Sequence, residues 1–443
     1  MSRGDGQRPL RHALDAQLAD IIPPNSLLDT DLIRSYRAVG EPNGSLIPLA
    51  LGEDWRGPPE LLRRFLEEAH EDWTHGYQLS MWGEPAYRLS AREHAIAQQE
   101  LEPFVQSGNE LEFAAVWSGT RGAIFDFARL LDSGASKTQA AIFASPGYDY
   151  GAIFAAAGFA PYPAKLEPKN LAMNGSAFAE AAARAEAHGH RPAVFVLNPQ
   201  HNPSAREWEE EVVCDILKQA LQRSAAILID NAHFGVCGPL AKRTSAMRCL
   251  LAMLGGSVSP VPWLAVQSLG KQFNCNGWGL GIMAGSRSTL RTIVEIIRPQ
   301  REYNLNAAAQ RAMGRFLRTS HSSEALNDRN TLISRNRAGL GAFLTQRGLC
   351  PDFFPDQVCT TFSVFPLPYN YRRPDVGPAA FIKDALRETG ILLGAMTLSP
   401  TPTSNASHPY PFIRIHLGLD TKILEVALSR LDHWGLSELM ERK

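Results

Sequence analysis

WLAVQSLGKQFNCNGWGLG, residues 263–281, sets an apolar run directly against a glycine-bracketed loop that carries a single lysine, Lys271. The run reads as a buried strand and the loop as its carboxyl-terminal exit. A lysine so placed is poised to lose its proton, because desolvation disfavours the ammonium, and a neutral amine can attack an aldehyde. The plain alternative is a surface lysine in a loop. Working outward, the same pattern of apolar runs recurs as AAVW (114–117), AAIFA (140–144), AVFVL (193–197), AAILI (225–229) and GIMAG (281–285).

All but the last of these runs lead at once into polar or glycine-bearing clusters: SGTRG (118–122), SPGYDY (145–150), NPQHNPS (198–204), DNAHFG (230–235) and SLGKQF (268–273). Short apolar runs alternating with longer amphipathic stretches predict an α/β fold with a mostly parallel sheet flanked by helices. Ligands bind beyond the carboxyl ends of such strands, so these clusters are expected to converge on one crevice. The domain reading is an amino-terminal arm over 1–50 packing with the small domain, a large domain over 51–305 and a smaller α+β domain over 306–443. In the last of these, 306–346 is mostly helical, short strands lie near Phe362 and Ile413, and a helix runs from Thr421 to Trp434.

The chain carries 44 basic and 45 acidic side chains with no long single-sign run, so neither a nucleic-acid nor a membrane surface is expected and a small-molecule partner fits better. Its longest apolar stretch, Ala140 to Ala164, is broken by Pro146, Gly147 and Asp149 before it could cross a bilayer. The first twenty residues show neither a secretory core nor an Arg-rich transit pattern, and a cytoplasmic location is expected. Cys214, Cys237, Cys249, Cys275, Cys350 and Cys359 are spread without close spacing, which argues against a disulfide framework or a metal site.

At the end of AAILI, Asp230 can hold a pyridinium nitrogen protonated and so make the ring an electron sink; a lone strand-end aspartate is otherwise a cap or turn residue. Asp230 followed by Lys271, preceded by HNPS (201–204) and SGTRG (118–122), resembles in order and spacing the fold type I, pyridoxal phosphate-dependent aminotransferases of class I/II, of the aspartate aminotransferase type. The resemblance runs from about Leu49 to Arg414. It implies Lys271 as Schiff-base lysine and proton shuttle, Asp230 as partner of the ring nitrogen, and Asn202 as donor to the phenolic oxygen. Gly119, Thr120 and Arg121 would form the phosphate cup with Ser268 as a further donor, and Tyr148 would stack on the ring. Arg414, in PFIRIHLGL (411–419), would bind the substrate α-carboxylate, and Gly52, in LALGEDW (49–55), would close over the substrate. Tyr77 and Asn306 match residues that reach the neighbouring subunit's site, which implies a homodimer with shared active sites.

Three positions depart from the family pattern. His233 stands where a tyrosine donates to the phenolic oxygen, Gly279 where an arginine pairs with the phosphate, and TLSPTPTSNASHPY (397–410) replaces a proline-glycine turn. His233 either alters the pH response of the site or merely keeps a hydrogen bond, and Arg121 is the expected replacement cation for the phosphate. Transamination is the leading expectation. Elimination, replacement or carbon-carbon bond formation through a shared quinonoid intermediate is the alternative, with S-adenosylmethionine as one such substrate and a place in secondary metabolism. A non-catalytic regulator that binds the cofactor as a ligand is a third reading, weakened by the lack of a basic amino-terminal module.

Overall fold

Every one of the apolar runs becomes a strand of one seven-stranded sheet. The computed structural model describes residues 32–50, 56–77, 80–106, 111–132, 138–238, 243–303, 306–348, 357–372, 376–396, 412–436 and 439. The strands are β1 (Ile47–Pro48), β2 (Glu112–Ala115), β3 (Gln139–Ser145), β4 (Ala160–Lys165), β5 (Arg191–Leu197), β6 (Ala226–Asn231), β7 (Trp263–Ser268), β8 (Gly281–Gly285), β9 (Phe362–Pro366), β10 (Ile391–Leu392) and β11 (Phe412–His416). The neighbours from β7 through β6, β5 and β3 to β4 pair in parallel, whereas β8 runs antiparallel to both β2 and β7. The sequence gives no warning of β4. Its APYPAK carries prolines at 161 and 163, which a sheet accepts only at an edge, and β4 pairs with β3 alone.

Both faces of the sheet are covered. Strand residues of alternate parity enter two separate apolar clusters, one holding Ile227, Ile229, Ala265 and Ile282, the other Leu228, Leu264, Val266 and Met283. Among the helices that matter for the crevice are α1 (Pro85–Gln99), α2 (Gly119–Leu131), α3 (Leu269–Phe273), α4 (Ala307–Leu317) and α5 (Ser320–Gln346). A two-stranded antiparallel pair, β9 with β11, sets Arg414 opposite Val364. A two-stranded parallel pair joins β1 to β10, with Asn43 donating to the Arg387 carbonyl and Arg430 to that of Ser45. The closing helix runs from Thr421 to His433.

Sequence spacing hides two thiol pairs. Cys237 and Cys359 face one another in an isolated antiparallel bridge, and Cys214 neighbours Cys249, whose thiol pKa is pushed up to about 12, chiefly by burial and then by Cys214. No helix among the described residues is long and apolar enough to cross a membrane, and none of them forms a cluster able to hold a metal ion. Gly52, Cys350 and the stretch 397–410 lie outside the described residues.

Candidate active site

Parallel strands deliver their carboxyl ends to one edge, and the quoted clusters follow from there. Asp230 is the penultimate residue of β6, beside β7, whose last residue, Ser268, caps α3 by accepting a hydrogen bond from the Lys271 amide at 3.2 Å. Asp230 is buried, and each of its oxygens has a donor: Tyr150 Oη reaches Oδ2 at 2.6 Å, and the Ala232 amide reaches Oδ1 at 2.9 Å. Burial pushes the Asp230 carboxyl up, while the Tyr150 hydroxyl, the Ala232 amide and the Lys271 charge pull it back. The lysine and the aspartate therefore feel one another electrostatically.

His233 follows two residues after β6 and is only 2 % exposed, yet neither ring nitrogen has a hydrogen-bond partner among the described residues. Burial drives its pKa well below the ordinary value, and the charges of Lys271, Arg329, Arg414 and His416 reinforce the effect. The imidazole is thus neutral, with one donor and one acceptor left unspent. A buried polar group without a partner is costly, and a ligand is one reason to keep one.

Arg414 is buried within β11, its guanidinium 4.2 Å from the centre of the Phe362 ring. It donates to Asn202 Oδ1 at 3.2 Å and to the Ala50 carbonyl at 3.0 Å. Gly394 makes the room: a Cβ there would stand 3.0 Å from the Ala50 oxygen and 3.3 Å from Arg414 Nε. Asn198, which the sequence reading passed over, ties two of the clusters together. Its amide donates to the Asp230 carbonyl at 2.7 Å and accepts from the Asn202 amide at 3.1 Å.

In the SGTRG turn one backbone amide is already taken. Ser118 and Gly119 both take left-handed backbone angles, φ 54° and 78°, and the Gly119 amide is given to the Gly279 carbonyl at 3.1 Å. A Cβ on Gly279 would stand 3.1 Å from that same amide, so the position that holds an arginine in the family pattern is here packed against the turn. The amides left for an anion are those of Thr120 and Arg121, in the first turn of α2 where no intrahelical acceptor exists. The Arg121 guanidinium lies with Tyr148 and Asp149 instead, donating to Tyr148 Oη at 2.9 Å and pairing with Asp149 at 3.0 Å. Tyr148 is half-buried and meets Tyr150 edge-on, with ring centres 5.5 Å apart.

Two further residues were expected to serve a neighbouring subunit. Tyr77 is 82 % exposed on its own chain, and Asn306 caps α4 by accepting from the Ala309 amide at 3.2 Å. Among the residues that sequence reasoning missed, Tyr150 has a visible signal as the second tyrosine of SPGYDY. Arg329 has none: from α5 its guanidinium reaches the Lys271 carbonyl and Asn274 Oδ1, a contact only the tertiary fold creates.

A family model described as aminotransferase class I and II matches residues 91–431. No curated protein matches the chain in sequence. Solved structures that resemble it include Thermus thermophilus aspartate aminotransferase with maleate, at 17% identity and TM-score 0.73, covering 98% of this chain and 100% of that one. The aromatic aminotransferase of Pyrococcus horikoshii matches at 16% identity and TM-score 0.73, over 93% and 100%. The N-succinyldiaminopimelate aminotransferase of Mycobacterium tuberculosis matches at 17% identity and TM-score 0.70, over 93% and 96%. At these identities the likeness speaks for the fold.

Proposed function

From a chain that belongs to the aminotransferase class I and II family, we propose a pyridoxal 5′-phosphate-dependent aminotransferase acting on an α-amino acid. The carrying observation is a buried, doubly hydrogen-bonded carboxylate, Asp230, near the end of β6, and a lysine, Lys271, in the short helix that follows the adjacent parallel strand β7, within reach of each other's charge. The donor set fits the cofactor. Asp230 can meet the ring nitrogen, the unpartnered His233 together with Asn202 the phenolic oxygen, and Tyr148 the ring face, while the Thr120 and Arg121 amides with the Ser268 hydroxyl would hold the phosphate. Bound there, the cofactor supplies an aldehyde and an electron-withdrawing ring. Lys271 supplies the amine that anchors it and carries the proton at the substrate's Cα. Arg414, already aligned by Asn202 and Ala50, takes the substrate carboxylate on its planar fork.

The same reading makes the working unit a homodimer. Tyr77 supports it, since a tyrosine 82 % exposed on its own chain is available to a second copy. The test is direct. Purified protein mixed with pyridoxal phosphate should develop visible absorbance, and borohydride should fix the adduct on Lys271, read by peptide mass. With amino acids and 2-oxoglutarate it should then form glutamate stoichiometrically. Lasting visible absorbance without glutamate moves the assignment to elimination or bond-forming chemistry, and no adduct at all overturns it.

A further inference from the structure

Behind the crevice lies a second polar assembly, unrelated to any ligand contact. Side chains alternate along a strand, so the residues beside Asp230 and Ser268, namely Asn231 and Gln267, point to the opposite face of the sheet, where they are register partners. There they meet α1. Gln99 donates to Gln267 Oε1 at 2.9 Å and accepts from Asn231 at 3.1 Å and from Ser245 at 2.9 Å. Gln98 Oε1 accepts from Gln267 at 2.7 Å and from Gln272 at 2.9 Å.

Gln272, the residue after Lys271, is fully buried and held from three directions. Its amide nitrogen donates to Gln98 and, at 2.7 Å, to the carbonyl of Phe234, the neighbour of His233. Its oxygen accepts from His94 Nε2 at 2.8 Å. Burial keeps His94 neutral, so an Nε2–H tautomer sets which way the Gln272 amide faces. Apolar side chains would fill this volume at comparable stability, because a buried hydrogen bond nets only about 1 kcal/mol. What a connected polar network adds is one unique arrangement.

We propose that Gln272 is a positioning residue for Lys271: clamped by Gln98, His94 and the Phe234 carbonyl, it fixes the short helix that presents the lysine, and Gln267 and Asn231 extend the same hold to Ser268 and Asp230. This rests on the reading of Lys271 as the cofactor's anchor. Gln272→Met and Gln98→Met remove the clamp at near-constant volume. Both variants should still load pyridoxal phosphate and form the borohydride adduct. Their kcat should fall about 10- to 100-fold with KM changed less than about threefold, as expected for a misplaced amine. Amide exchange over residues 268–274 should quicken, and the double variant should be no worse than the poorer single one, since both act through one network. His94→Gln, which retains a donor, should stay near wild type. If Gln272→Met does not fold, Gln98→Met decides, as it strips the acceptor from two amides at once. Variants that lose Tm but keep kcat and the pH dependence of the visible absorbance overturn the proposal, leaving the network a structural one. Should the wild-type chain itself give no adduct, it is the cofactor reading that fails, and the hold on the helix is then judged by exchange alone.

Discussion

The two sides of the strand ends differ in how completely their polar groups are satisfied. Towards the crevice, His233 has neither ring nitrogen bonded and the buried carboxyl of Asp230 is pushed up. On the opposite side, Gln98, Gln99, Gln267 and Gln272 trade hydrogen bonds with one another and with His94 and Ser245. The same chain segments feed both sides. An unsatisfied buried group destabilises the empty protein and is repaid only when a ligand arrives, whereas a network that is mostly paired, with the Asn231 oxygen its exception among the described residues, holds its geometry with or without one.

Removing the amine breaks the comparison most severely. Lys271→Ala should abolish the borohydride adduct and lower turnover by roughly 10⁴-fold or more, while Tm stays close to wild type because nothing on the opposite side is touched. Retained turnover in that variant sinks the assignment of Lys271.

Glu207 asks whether missing partners always signify a ligand. It sits in the hairpin that carries Asn202, with Oε1 bonded by the Thr244 amide and Gln200, and Oε2 buried without a hydrogen-bond partner among the described residues. Burial raises its pKa from an ordinary 4.5 to about 7. A raised carboxyl contributes stability that is fully present below its unfolded pKa and is lost as the pH climbs through the folded one. Glu207→Gln should therefore match wild type near pH 4.5 and become the more stable form above pH 7, by on the order of 2 kcal/mol. Denaturant melts across that range check it, and a gain at acid pH instead reverses the sign.

Tyr150→Phe takes one of the two donors from Asp230. Because that hydroxyl lowers the carboxyl's pKa, its loss should move the acid limb of the activity profile to higher pH. Affinity for pyridoxal phosphate should weaken roughly tenfold, the equivalent of one charge-assisted hydrogen bond. A profile that does not move means Asp230 is oriented without the tyrosine. The smallest effect belongs to Arg121→Ala. Its exposed guanidinium is already shared between Tyr148 and Asp149, so cofactor affinity should change by less than about threefold. A much larger loss restores Arg121 as the cation that answers the phosphate.

Much of this was legible in the sequence, for reasons local to each motif. AAILID and WLAVQS are short continuous apolar runs of the kind that buried parallel strands show, each followed at once by a polar cluster, so the edge at which Asp230 and Lys271 emerge follows from that pattern and a strand's direction. The prolines of β4 pointed away from a strand, and only the choice of edge place reconciles them. Gly279 was noticed as a departure, but its φ of 67° and its contact with the Gly119 amide belong to a turn that meets it from more than a hundred residues away.

Sequence alone fixed which residues could do chemistry, because residue type sets what a side chain can donate, accept or give up, and the apolar runs set where along the chain such groups emerge. The tertiary structure decided which of those groups are already spent. Arg121 is committed to Asp149, the Gly119 amide to Gly279, and Asn306 to its helix cap, while His233 is left open. A hydrogen-bond partner is chosen by proximity in space. No pattern along one chain reveals that Gln272 will meet Gln98 from 174 positions away.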